Sequence, residues 1–201
     1  MKKHIPMSLI WARLLIGIVI VVLSYYRVRN YQTVAIILLT VGLLTDVFDG
    51  IIARRLQVST QKLRRMDSTV DQLFFSAVAV ATYIQCPDFF KTHALKLGLL
   101  LGLEALTYIV SFLKFKKEIA THSIGAKIWT LSIFATLIQV MVQCRAPIWF
   151  EVCFWTGLLT RLEIIVIILT LKKWTNDVPT FYQAWKLRHN QEIKRHKLFN
   201  G

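Results

Sequence analysis

Charged residues make up only 18% of the 201-residue chain, and acidic ones are the scarcer kind: 11 Asp and Glu stand against 25 Lys and Arg. So little charge, with 55% apolar residues and a mean hydropathy of +0.52, excludes a disordered or mainly solvated chain. Cysteine is sparse as well. Cys86, Cys144 and Cys153 form an odd set that gives no disulfide framework. Small buried hydrophobes are the plainer reading, although Cys86 and Cys144 both fall at outer ends of expected spans, where an oxidising compartment permits a bridge. Internal repeats, low-complexity segments and a composition shift that would mark a second domain are lacking, so the length fits one compact domain.

The formal charge of +14 would ordinarily suggest a nucleic-acid partner, but a nucleic-acid-binding domain does not usually carry apolar runs of bilayer length. A membrane-spanning helix takes roughly 20 mostly apolar residues. Six such segments are expected: Leu9 to Tyr26, Thr33 to Ala53, Met66 to Ile84, Ala94 to Phe112, Ile128 to Val142, and Ile148 to Leu171. The first has a basic start like a secretion signal, but Arg13 interrupts it and no small-residue cleavage pattern follows, so a retained span is expected. The fold class is all-α and polytopic, with residues 1–173 as the membrane domain and residues 174–201 as a basic cytoplasmic tail. That tail begins with a surface helix near Thr180 to Arg188.

Basic residues in short loops set orientation. With the N-terminus inside, 18 cations fall on inner segments and five on outer ones, leaving Arg13 and Arg161 within spans. Both termini are therefore expected in the cytoplasm, in a cytoplasmic inner membrane. The inner cations form a belt that attracts anionic lipid headgroups by ~1 kcal/mol per residue.

The scarce acids are not scattered. Asp46, Asp49, Asp67 and Asp71 occupy one 26-residue stretch at the inner ends of the second and third spans, where ionisable groups are costly and mark function. Asp46, Asp49, Gly50, Ala53 and Arg54 form one stripe of a helix, and Asp67 and Asp71 stand four apart on the next. A hairpin of those helices aims four carboxylates at one point, where they repel unless cations hold them. Hard divalent ions, Mg²⁺ or Mn²⁺, suit such oxygen donors, and two of them can clamp a diphosphate for in-line displacement. Gly50 and Ala53 leave a recess beside them, and Arg54 adds a phosphate fork. The plain alternative is a solvated network in which the acids pair with Arg54, Arg55, Arg64 and Arg65.

The stretch Asp46-Val-Phe-Asp49-Gly50-Ile-Ile-Ala53-Arg54, eight residues, Leu63, three residues, Asp67, three residues, Asp71 resembles the signature of the CDP-alcohol phosphatidyltransferases. Seven of its eight fixed positions are present, and the fixed glycine is replaced by Leu63, which bears on how the cytidine sits. The resemblance implies transfer of a phosphatidyl group from CDP-diacylglycerol to an alcohol, with release of CMP in phospholipid biosynthesis. Carried over by position, Asp46, Asp49 and Asp67 are metal ligands, and Asp71 is both ligand and general base. Gly50, Ala53, Arg54 and Thr60 contact the cytidine diphosphate moiety, and a homodimer is expected. Pro6 and Arg13 match the spacing of an N-terminal segment found in glycerophosphate-transferring relatives, but Met7 and Ile10 replace its Asn and Thr.

Lys127, at the inner start of the fifth span, resembles a basic residue beside the family's acceptor cavity, and Arg64 is a further candidate to hold an anionic acceptor. A snorkelling interfacial role is the alternative for both. Glu104 calls for a polar partner in mid-span, whereas Arg161 and Glu163 are two apart and point to different faces. Glycerol phosphate, inositol phosphate, inositol and serine are all open as acceptors, and the inner cations tilt the reading slightly toward a phosphorylated one. Two readings compete with catalysis: a divalent-cation carrier using the same acids, and an inactive relative that binds nucleotide-lipid, motivated by Leu63.

Overall fold

The computed structural model describes residues 5–56, 60–117, 123–175 and 178–192, the side chains of residues 5, 54, 61, 62 and 64 excepted. Among the described residues every regular element is a helix, as expected of chains that must satisfy their own backbone hydrogen bonds in lipid. The elements are α1 (Ile5–Tyr25), α2 (Tyr31–Arg55), α3 (Gln61–Gln85), α4 (Pro87–Thr92), α5 (Ala94–Phe115), α6 (Ile124–Gln143), α7 (Pro147–Thr170) and α8 (Phe181–Arg188). Among the described residues, five helices are long and apolar enough to cross a membrane: α1, α2, α5, α6 and α7. The sixth expected span, α3, has the length, because 25 residues rise ~37 Å. Its first half holds Arg65, Asp67, Asp71 and Gln72 and is too polar to meet the same criterion.

The chain divides into two compact units, Met1–Phe90 with Leu137–Arg145, and Lys91–Thr136 with Ala146–Gly201. In the first, α1 is the central element. Both α2 and α3 pack along α1 far more extensively than against each other, which corrects the expected two-helix hairpin to a three-helix arrangement. Phe74 of α3 is fully buried where α1 and α2 each present a glycine. A Cβ at Gly17 would lie 3.3 Å from the Phe74 ring, and one at Gly42 would run into that ring. Further along, Ser24 Oγ donates to Ala81 O at 2.7 Å, and Gln85 Nε2 donates to Ser24 O at 2.7 Å. Cys86 and Cys144 are bridged, their Cα atoms 5.3 Å apart, so the reading of these two as separate buried hydrophobes is replaced by a disulfide. Cys153 is the free and buried one.

In the second unit the parallel helices α5 and α7 are tied at three levels. Lys96 pairs with Glu151, Arg161 Nη2 donates to Glu104 Oε1 at 2.8 Å, and Lys114 Nζ donates to Ile168 O and Leu169 O at 3.0 and 2.7 Å. The Arg161 guanidinium also lies over the Trp129 ring of α6, 4.6 Å from its centroid. Helix α8 forms where a tail helix is expected and folds back onto the end of α7. Val178 and Ala184 are buried with Ile167 and Leu171, and Arg188 Nη1 donates to Thr170 O at 3.1 Å.

Candidate functional site

Three helices of the first unit build the acidic cluster. Asp46 and Asp49 share a face of α2 because they are three residues apart, and Asp67 and Asp71 share a face of α3 because they are four apart. The start of α3 is fixed by Thr60, an extended residue whose side-chain oxygen accepts from the Leu63 backbone N–H at 3.2 Å. That bond satisfies one of the helix's otherwise unpaired N–H groups. Thr60, expected at the nucleotide, therefore also caps the helix that carries two of the acids, and Leu63 stands half-buried in its first turn.

The cation that meets all four acids is Arg13 of α1. Its Nη2 donates to Asp49 Oδ2, and its Nη1 donates to Asp71 Oδ1. Nη1 also lies 3.1 Å from Asp67 Oδ1 and 3.2 Å from Asp46 Oδ1. Burial is graded across the cluster. Arg13 and Asp49 are 1% and 3% exposed, whereas Asp46, Asp67 and Asp71 are each about a third exposed. Asp49 thus lies at the closed end, and the other three line the approach.

Among the described residues, the one guanidinium that meets these four carboxylates offsets a single one of their charges at full ionisation. Close like charges destabilise one another unless further cations arrive. Carboxylate oxygens of Asp46, Asp49 and Asp67 all lie within 4.8 Å of one another. Around a Mg²⁺ ion, oxygens at ~2.1 Å stand at most about 4.2 Å apart, so small side-chain rotations bring these three onto one ion. The donor set, all carboxylate oxygen, fits Mg²⁺ or Mn²⁺.

The remaining expected site residues fall out differently. Gly50 is half-buried and Ala53 is buried. The side chains of Arg54 and Arg64 lie outside the described residues. Lys127 belongs to the second unit, in the first turn of α6. Sequence reasoning singled out Arg13 only for its motif spacing and missed its partners. The available signal was charge balance: a lone cation inside an apolar span needs acids, and the nearest spans held four. It also missed the ring seat one turn away. Gly17 follows Arg13 by four residues, Gly42 precedes Asp46 by four, and Phe74 follows Asp71 by three, so the seat adjoins the charges on all three helices.

The profile of the family described as CDP-alcohol phosphatidyltransferase matches residues 3–174 of this chain. No curated protein and no solved structure matches it.

Proposed function

The chain belongs to the CDP-alcohol phosphatidyltransferase family, and on that premise we propose that it transfers the phosphatidyl group of CDP-diacylglycerol to an alcohol and releases CMP. The observation that carries this reading is the convergence of Asp46, Asp49, Asp67 and Asp71 on one point. Asp46, Asp49 and Asp67 would hold divalent metal, with Asp71 completing the set for a second ion. Bound there, the metals supply charge neutralisation for the diphosphate and its leaving oxygen.

The chain's own residues do the rest. Asp71 stands at the open side of the cluster, about a third exposed, and accepts the proton of the acceptor hydroxyl as its oxygen attacks the lipid-bearing phosphorus. The P–O bond to the cytidylate breaks in line, and CMP leaves with that bonding pair. Gly50, Ala53 and Arg54 contact the cytidine diphosphate portion, and Thr60 acts from the N-cap of α3. Arg64 serves a phosphorylated acceptor such as glycerol or inositol phosphate. The protein works as a homodimer, with α3 as a sixth span. The buried ring of Phe74, one turn beyond the acids between Gly17 and Gly42, argues against an ion path across the bilayer and so against a cation carrier.

The acids face the cytoplasm of an inner membrane in this reading. Asp67 and Cys86 are 19 positions apart along α3, ~28 Å of helix rise and close to the ~30 Å of a bilayer core. The Cys86–Cys144 bridge suits an oxidising compartment, which supports a cytoplasmic side for the opposite end of α3, as does the inner cation belt. The deciding experiment offers purified protein CDP-diacylglycerol, Mn²⁺ or Mg²⁺ and a panel of alcohols, and follows CMP. Metal-dependent CMP release with one acceptor is expected. Nucleotide-lipid binding without release from any acceptor would leave the inactive-relative reading in its place.

A further inference from the structure

We propose that Arg13 is an internal counter-cation of the acidic cluster that competes with divalent metal, so that metal entry requires its Nη1 to give up Asp46 and Asp67. The inference rests on reading those acids as metal ligands. Its ground is the occupancy of one small space. Nη1 lies 3.2 Å from Asp46 Oδ1 and 3.1 Å from Asp67 Oδ1, and these two residues and Asp49 make up the group whose oxygens can meet on one ion. An ion about 2.1 Å from those oxygens would stand against the guanidinium, cation against cation.

The bonding of the guanidinium already favours such an exchange. Nη1 carries two hydrogens and faces three carboxylates, those of Asp46, Asp67 and Asp71, which therefore share its two donors. Nη2 is engaged by Asp49, the buried acid, and Nε is buried with no hydrogen-bond partner among the described residues. The end of Arg13 is therefore anchored on one side at Asp49 and shared thinly on the other. Losing Asp46 and Asp67 to a metal costs Nη1 its weaker contacts, while the bonds to Asp49 and Asp71 remain available. Before metal arrives, the same guanidinium reduces the repulsion among four acids held in an apolar bundle. Arg13 thus acts on the metals through the carboxylates, as a positioning residue.

The test measures Mn²⁺ binding to the full-length protein in detergent by electron paramagnetic resonance, with thermal unfolding followed at each Mn²⁺ concentration. Arg13→Gln should bind Mn²⁺ at least about tenfold more tightly than wild type, the effect expected of one unit charge at 4–6 Å. It should unfold at lower temperature without metal and gain more than wild type when Mn²⁺ is added. If wild type binds Mn²⁺ and Arg13→Gln binds it no more tightly, the competition is overturned and the metal-site reading stands. If neither binds Mn²⁺, the metal-site reading falls and takes the competition with it. Should Arg13→Gln fail to fold, Arg13→Lys replaces it, since a single nitrogen cannot bridge Asp49 and the other acids at once. Tighter binding than wild type then supports the competition, and equal or weaker binding overturns it.

Discussion

Arg161 and Glu104 pair in the interior of two parallel helices, with Nη2 of the one 2.8 Å from Oε1 of the other. Both are charged residues in segments otherwise apolar enough to cross a membrane, and each compensates the other where water cannot. Removing Arg161 takes the guanidinium away from Glu104. Arg161→Met should lower stability by ~3–5 kcal/mol, and Arg161→Met with Glu104→Leu should recover most of that loss. Thermal unfolding in detergent, scored by the fraction remaining monodisperse, checks both. Equal losses in the single and double variants would show that the pair itself contributes little.

Asp71→Asn removes a proton acceptor while keeping the shape of the side chain. CMP release should fall by about 10²–10⁴-fold, with CDP-diacylglycerol binding retained. The readouts are steady-state CMP production and nucleotide-lipid binding on the same preparation. Full turnover in this variant would remove Asp71 from the role of base.

Chelation should abolish CMP release, and Mg²⁺ or Mn²⁺ should restore it. Asp46→Asn, which alters an exposed member of the group of three, should raise the metal concentration needed for half-maximal rate by about tenfold or more. A metal titration of the variant beside wild type measures this. A rate that survives complete chelation would exclude metal from the reaction.

Gly42 and Gly98 make an internal comparison. A Cβ at Gly42 collides with the buried Phe74 ring, whereas one at Gly98 meets nothing within 4 Å. Gly42→Ala should cost about 1–3 kcal/mol through overpacking, and Phe74→Leu in the same chain should relieve part of it. Gly98→Ala should be neutral or stabilising by about 0.5–1 kcal/mol. Melting temperatures of the three variants in one detergent decide it.

The fold was largely legible in the sequence because lipid imposes a single period and a minimum length. The expected spans from Leu9, Thr33, Ala94, Ile128 and Ile148 each fall within a few residues of α1, α2, α5, α6 and α7. Helix α4 was not foreseen, although Pro87 at its start and Asp88 in its first turn are ordinary opening residues. The acids were legible because spacing on one helix is local information. Their cation was not, because Arg13 is 36 to 58 residues away from its hydrogen-bonded partners, and nothing along the chain states which two helices flank α1. The Cys86–Cys144 bridge was open in the sequence for the same reason: its partners are 58 residues apart, and only the packing brings them together.

The polar first half of α3 has a consequence for how the protein is made. Asp or Arg in a membrane helix opposes insertion, by about 2.5–3.5 kcal/mol at its middle and less toward its ends. Helix α1 carries Arg13, α2 carries Asp46 and Asp49, and α3 carries Asp67 and Asp71. These charges meet across helices, at the Arg13 guanidinium. With α3 read as a sixth span, the chain gains when α1 and α2 stay together until α3 joins them. The residues that pair across these three helices thus also couple their insertion: none of the three is as well settled in lipid alone as with the other two.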